Sequence, residues 1–413
     1  MTNQPFTLIK RRMPWARRAG AAERSVLALL TRIDFGSLHL QMPDGAMRRF
    51  GVAASPLRVG MTLHSNDVFA RVLAAGDIGL AESYMDGAWD SPHLTDLLVL
   101  MMRNRDVLER AVYGSTLGSW LYRLRHGWRR NSRAGSQRNI QAHYDLGNAF
   151  YRLWLDPSMN YSSALFEGDQ DAKLTQAQHR KVDRALDEAR VASGSRVLEI
   201  GCGWGALAER AAQRGANVTG VTLSHEQLGW AQQRLADAKL HTQAALLLKD
   251  YRDLGREVEF ERYDSVVSIE MFEAVGRAYW DTFFDTLRRC LKPGGRACLQ
   301  SITIRDDLFD RYVHSTDFIQ QYIFPGGLLP SAQAFRAQAQ RAGFVVEREL
   351  AFGQDYAETL HRWRDNFLAA LPQVKAQGFD RRFIKLWDFY LAYCEAAFLT
   401  GNTSVVQFTL RHA

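Results

Sequence analysis

The chain has few cysteines, no long apolar run and no acidic residue between Glu109 and Asp145. Cys202, Cys290, Cys298 and Cys394 are scattered without metal-ligand spacing and are too few for a disulfide scaffold in a chain of this size. No metal site is expected, and the cysteine usage fits a reducing cytoplasm. The longest purely apolar run, residues 97–102 (LLVLMM), is far short of the roughly 20 residues that cross a bilayer. The basic start, residues 1–20, is not followed by an apolar signal core, so export is not expected.

What is present is globular material. With 46% hydrophobic, 23% charged and 11% aromatic residues, a disordered or fibrous chain is excluded. At 413 residues the length exceeds one average domain, so two are expected. The net charge of +7 is spread unevenly. The acid-free stretch holds Arg110, Arg123, Arg125, Arg129, Arg130, Arg133 and Arg138, interleaved with Trp120, Tyr122 and Trp128. A second cluster, Lys10, Arg11, Arg12, Arg17 and Arg18, surrounds Trp15. Cations with interfacial aromatics suit an anionic membrane surface, and equally nucleic acid; a solvated arginine-rich linker is the plain alternative.

Residues 131–138 (NSRAGSQR) are small and polar, which puts a domain boundary there: a smaller N-terminal α+β domain over 1–130 and a larger one over 131–413. Upstream, alternating residues 37–41 and 47–52 flank Pro43-Asp44-Gly45 and predict a β-hairpin, with helices over 65–75 and 94–110. Downstream, apolar strands at 196–200, 217–222, 244–248, 265–269, 296–301 and 344–348 alternate with amphipathic helical stretches. A helical region over 379–399 precedes a last strand at 404–410. That rhythm predicts an α/β fold: a doubly wound, mostly parallel sheet, with ligands beyond the carboxyl ends of the strands.

Residues 197–205 (VLEIGCGWG) run a buried strand into a glycine-rich turn, with a helix over 206–214. The spacing Gly201-x-Gly203-x-Gly205 is not the G-x-G-x-x-G of a dinucleotide turn, and no Walker lysine is present. Glu199, just before the turn, repels phosphate and suits a cationic or zwitterionic ligand. S-adenosylmethionine, with a sulfonium, an amino acid head and no phosphate, meets that description; dinucleotide binding is the alternative. The second strand leads into residues 220–227 (GVTLSHEQ), which bring polar side chains to a ribose. The third leads into residues 249–253 (KDYRD), where Asp250 is a candidate acceptor for an adenine amino group and Tyr251 a candidate stacking ring.

The ordered motifs 79–89 (GLAESYMDGAW), 142–148 (AHYDLGN), 155–163 (LDPSMNYSS), 197–205, 220–227, 270–276 (EMFEAVG) and 322–330 (YIFPGGLLP) carry a family resemblance. From about Ser65 onward the chain resembles the cyclopropane-fatty-acyl-phospholipid synthases, including the mycolic acid cyclopropane synthases. The resemblance implies a class I methyltransferase fold. It implies transfer of the S-adenosylmethionine methyl to a double bond of an unsaturated acyl chain in a membrane phospholipid, forming a cyclopropane. Carried over by motif, Tyr161, Ser162, Gly201, Cys202, Gly203, Thr222, Leu223, Ser224, Gln227, Tyr251, Arg252 and Ile269 line the cofactor. The N-terminal domain and basic linker dock the lipid, which favours a cytoplasmic enzyme peripheral to the inner membrane face over a nucleic-acid binder. A homodimer is left open.

Methyl transfer to an alkene leaves a carbocation, which aromatic faces stabilise without trapping; Tyr161, Phe272, Tyr322, Phe324 and Tyr356 are the candidates. In the resembling family the ring-closing proton goes to bound bicarbonate, held at the positions that read here Ser163, Glu273, Gln300, the Ile302 backbone and Tyr356. Two of these depart from the family, which has Cys at Ser163 and His at Gln300, and Glu270 stands where the family often has Gly. Without the imidazole, and with Glu270 and Glu273 three apart on one expected helix face, anion binding is weakened and one carboxyl rises toward a useful base. Three outcomes are open. Bicarbonate or Glu273 takes the methyl proton and a cyclopropane forms. Or a proton leaves a neighbouring carbon, giving a methyl-branched or methylene chain of the kind that precedes furan fatty acids. Or, as a different class, the chain is a weakly active lipid-binding relative.

Overall fold

The computed structural model describes residues 14–112, 146–256 and 261–413. The chain divides into two compact units, residues 1–119 and 120–413. The expected boundary segment 131–138 lies outside the described residues, as do the side chains of both basic clusters. Among the described residues no helix is long and apolar enough to cross a membrane.

The first unit carries a four-stranded sheet in the order β2-β1-β3-β4, formed by β1 (Ser37–Gln41), β2 (Met47–Gly51), β3 (Arg58–Leu63) and β4 (Trp89–Asp90). The hairpin forms as expected, β1 pairing antiparallel with β2 across a turn closed by Met42 and Ala46. The helix expected over 65–75 continues as Asp67–Met85, kinked where Gly76 adopts φ 56° and ψ −126°, a conformation open to glycine at little cost. The single helix expected over 94–110 is two, Leu94–Arg103 and Arg105–Val112. Asn104 breaks it: its amide accepts from the Asp34 and Phe35 N–H groups and donates to the Phe35 and Leu100 carbonyls.

The second unit is the predicted α/β sheet. Seven strands lie in the order β10-β11-β9-β8-β5-β6-β7. These are β5 (Arg196–Ile200), β6 (Asn217–Thr222), β7 (Ala244–Leu248), β8 (Tyr263–Ile269), β9 (Leu291–Ile304), β10 (Phe344–Ala351) and β11 (Thr403–His412). β5 to β9 run parallel, whereas β11 inserts antiparallel between β9 and β10. Because side chains alternate along a strand, each face collects its own core. Leu198, Ile200, Val266 and Leu299 pack with Phe283, Phe284 and Phe335. On the opposite face Val197, Val267 and Cys298 pack with Val182, Leu207 and Leu235. The connections leave β5 for β6 on one side and β8 on the other, so a crevice opens at the carboxyl end of β5.

That crevice depends on Gly205, which has φ +81° and heads the helix Ala206–Gln213; a Cβ there would lie 2.8 Å from the Ala231 Cβ. Gly205→Ala combines a left-handed alanine with a core clash and is expected to destabilise the unit by about 2–4 kcal/mol. A thermal melt reads this as a lowered midpoint.

Candidate functional site

A cavity opens where the glycine turn leaves β5. Of the residues expected to line a cofactor, Tyr161, Ser162, Glu199, Gly201, Cys202, Gly203, Thr222, Leu223, Gln227, Tyr251, Arg252 and Ile269 form its wall. Ser224 and Asp250 do not. The Ser224 hydroxyl accepts the Gln227 N–H at 3.2 Å and caps the helix His225–Asp237. The Asp250 carboxylate accepts from the backbone N–H of Arg252 at 2.9 Å and from its guanidinium, so it holds Arg252 instead of presenting a free acceptor.

Glu199 brings a carboxyl to the wall. It is buried, and its Oε2 has no hydrogen-bond partner. Burial pushes its carboxyl well above the usual range, with Lys181 pulling it back. An orphan carboxylate oxygen on a cavity wall fits a ligand that brings positive charge, as the sulfonium and ammonium of S-adenosylmethionine do.

Lys181 was missed in the sequence. The helix Leu174–Glu188 buries Ala177, Lys181 and Ala185 on one face, so a lysine on an apolar stripe was the available signal. Its Nζ donates to the Ser162 Oγ at 2.5 Å and to the Asn160 Oδ1 at 3.4 Å, and burial brings it down to about 8. It supplies a positive charge beside a pocket whose family imidazole is replaced by Gln300.

Glu270 occupies the centre of that pocket. It follows β8 with φ +50°, a left-handed backbone that L side chains rarely adopt. At this backbone, which glycine would adopt at least cost, the chain carries a carboxylate with three donors. Its Oε1 accepts the Ser163 N–H at 2.9 Å and the Gln300 Nε2 at 2.7 Å, and its Oε2 accepts the Tyr356 hydroxyl at 2.7 Å. It also lines the cofactor cavity. Strain held in place by surrounding structure points to use of the side chain.

Glu273 sits in a single turn of 3₁₀ helix, Phe272–Ala274, so the two glutamates do not share the helix face expected from their spacing. Its Oε1 accepts from the Ile302 N–H and from the Ser301 hydroxyl, and its Oε2 is buried without a partner. Burial and the neighbouring Glu270 push Glu273 up to about 8. Burial raises Glu270 too, but Lys181 and its three donors oppose the rise. Of the two, Glu270, with three donors and Lys181 favouring its charged form, is the better placed to hold negative charge.

The residues expected to hold bicarbonate are engaged with the two glutamates. The Ser163 N–H, the Gln300 amide and the Tyr356 hydroxyl are taken by Glu270, and the Ile302 N–H by Glu273. The Ser163 hydroxyl turns to the Ala164 carbonyl at 2.9 Å. With these donors engaged, a second negative charge beside Glu270 is unfavourable.

The aromatic candidates divide. Tyr161 and Phe324 line the cavity, and the Tyr161 hydroxyl meets that of Tyr390 at 2.7 Å. Tyr356 faces Glu270 and packs on Phe398, with ring centroids 4.4 Å apart. Phe272 is core, held among Trp280, Phe283, Phe284 and Phe335. Tyr322 packs on Phe318 and is not on the cavity wall. Met159, Trp204, Lys249 and Met271 line the cavity without having been anticipated.

Comparison with known proteins agrees with this architecture. Residues 129–408 match the family model described as mycolic acid cyclopropane synthetase. A tuberculostearic acid methyltransferase of Mycobacterium tuberculosis is 41% identical over 87% of this chain and 84% of its own. The cyclopropane-fatty-acyl-phospholipid synthase of Escherichia coli K12 is 37% identical over 86% and 88%. Among solved structures, a mycolic acid cyclopropane synthase complexed with SAH and CTAB superposes with a TM-score of 0.61 at 35% identity, covering 66% of this chain and 97% of that one.

Proposed function

The chain belongs to the mycolic acid cyclopropane synthetase family and is an S-adenosylmethionine-dependent methyltransferase; from that premise we propose that it methylates the double bond of an unsaturated acyl chain in a membrane phospholipid, with Glu270 as the proton acceptor. The observation that carries the reading is the Glu270 carboxylate, on the cofactor cavity wall and fixed by Ser163, Gln300 and Tyr356.

When bound, S-adenosylmethionine supplies an activated methyl that the alkene's π electrons take up, leaving SAH and a carbocation on the neighbouring carbon. The residues of the chain do the rest. Glu199 meets the cofactor's positive charge, and the glycine turn lets it lie against backbone. Tyr161 and Phe324 present π faces toward the cation. Buried walls exclude water that would trap it. Glu270 takes a proton from the transferred methyl, and the freed C–H electron pair closes on the cationic carbon to give the cyclopropane. Glu273, protonated at neutral pH, serves by holding the Ile302 backbone and Ser301.

A second reading, methylation without ring closure to a methyl-branched or methylene chain, is supported by one observation: the relative at 41% identity is named a methyltransferase, not a cyclopropane synthase. Purified protein, S-adenosylmethionine and liposomes of mono- and di-unsaturated phospholipids separate the two. Both products add one CH₂ unit, so the extracted lipid is examined by NMR. Cyclopropyl protons are expected. Mass gained with the alkene signals retained would move the assignment to the second reading, and no gain on any phospholipid would refute both.

The same enzyme acts at the membrane surface in this proposal, its arginine-rich stretches meeting anionic headgroups. Turnover on liposomes should fall with added salt, because such attraction is screened.

A further inference from the structure

The donors to Glu270 are not equally fixed. The Ser163 N–H is backbone and can only donate. Gln300, however, offers either an amide NH₂ or a carbonyl oxygen depending on how its side chain is turned, and only one orientation serves a carboxylate. What turns it lies further out. Gln300 and Gln407 face each other directly across β9 and β11, and both are almost wholly buried. The Gln407 Nε2 donates to the Gln300 Oε1 at 3.0 Å and to the Lys181 carbonyl at 3.1 Å. The Gln407 Oε1 accepts from the Arg184 guanidinium at 2.5 Å.

Each end of that chain is one-way. A guanidinium has donors only, and a backbone carbonyl accepts only. Gln407 must therefore turn its oxygen to Arg184 and its nitrogen to the Lys181 carbonyl. That leaves its nitrogen aimed at Gln300, which must answer with oxygen. The Gln300 nitrogen is then committed to Glu270, 2.7 Å away. Flipping Gln300 sets like against like at two contacts, and flipping Gln407 does so at three.

We propose that Arg184 and Gln407 are positioning residues that lock the Gln300 amide as a donor to Glu270. The inference rests on the reading of Glu270 as the proton acceptor and extends it to residues that touch neither cofactor nor substrate. Arg184 stays available for this role because Glu188, its i+4 neighbour, is shared with the Thr409 hydroxyl and Arg348. Losing the Gln300 donor raises the affinity of Glu270 for a proton, since the remaining charged and titratable neighbours are unchanged: Lys181 from the helix Leu174–Glu188, Glu273 from the turn after β8 and Tyr356 from the helix Gly353–Ala369.

The test uses full-length protein with S-adenosylmethionine and unsaturated phospholipid liposomes. Gln407→Met removes the polarity without adding charge, and Gln407→Glu keeps the shape while reversing it. Both are expected to lower turnover about tenfold to a hundredfold, the loss of one charge-assisted hydrogen bond. The acidic limb of the pH–rate profile should move up by about one pH unit while cofactor affinity by calorimetry stays at the wild-type value. Adding Gln300→His to Gln407→Glu should restore part of the turnover, because a protonated imidazole donates to both carboxylates.

Wild-type turnover and profile in Gln407→Met would overturn the proposal. So would reduced turnover with an unmoved acidic limb and no rescue, which is what a purely structural role gives. Arg184→Met, at the less buried end of the chain, stands in if the Gln407 variants do not melt cooperatively, with the same shift expected. Glu270→Gln is measured alongside: if it keeps turnover, the base assignment itself fails, whereas an inactive Glu270→Gln beside a wild-type Gln407→Met removes only the positioning role.

Discussion

Glu270→Gln is expected to lower turnover by about 10²–10⁴-fold, the usual weight of a positioned acid–base group, while cofactor affinity stays close to wild type. The amide fills the same volume but has no site for the proton. Its NH₂ must also face either the Gln300 amide or the Tyr356 hydroxyl, so the pocket loses an acceptor as well as a base. The matching change at Glu273 should do far less. Glu273 is pushed up to about 8 and is already protonated at neutral pH, and a glutamine there keeps an oxygen for the Ile302 N–H and the Ser301 hydroxyl. Measured together by steady-state kinetics and calorimetry, the pair separates the proton acceptor from its support. A severe loss in Glu273→Gln with a mild one in Glu270→Gln would exchange the two roles.

Glu199→Gln should act on the other half of the reaction. Glu199 is a buried carboxylate on the cavity wall with one oxygen unpaired, so a cationic ligand gains a charge-assisted contact that an amide only partly replaces. A fall in S-adenosylmethionine affinity of about 10–100-fold is expected, with turnover at saturating cofactor changed much less. Burial raises the Glu199 carboxyl, so wild-type affinity should also weaken as pH falls through that raised value and the charge is lost, a dependence the variant lacks. Calorimetry across pH reads both effects, and a variant with wild-type affinity would remove Glu199 from the cofactor contacts.

Much of this was legible in the residues. The short apolar strands from β5 to β9 lie between glycine, proline and charged turns, and alternation with helices forces them parallel. The glycine turn and Glu199 identified the crevice because both are local features of one strand end. The antiparallel insertion of β11 is a matter of long-range order that no periodicity carries. Gly76 and Asn104 interrupt helices whose apolar pattern runs on through them, so the breaks were hidden by the pattern itself.

The site's decisive feature was half visible. The pattern drew attention to Glu270 because it stands where relatives often carry Gly, but a helical spacing argument set it beside Glu273. The left-handed backbone at Glu270 instead brings its carboxylate among the Ser163, Gln300 and Tyr356 donors. Three residues of separation mean neighbours only if the backbone is helical, and here a strand end and a 3₁₀ turn intervene. Gln407 and Lys181 were unreadable for a related reason: they lie 107 residues or more, and 89, from the groups they serve, as Gln407 does from Gln300 and Lys181 from Glu270.

The measurement that bears most directly on the account is the fate of the hydrogens on the transferred methyl. With S-adenosylmethionine carrying a trideuterated methyl and unsaturated phospholipid liposomes, mass spectrometry of the acyl product counts the deuterium retained. If Glu270 takes its proton from that methyl, the product keeps two deuterium atoms of the three delivered. Retention of all three would mean that the proton left a neighbouring chain carbon, and would contradict the role assigned to Glu270.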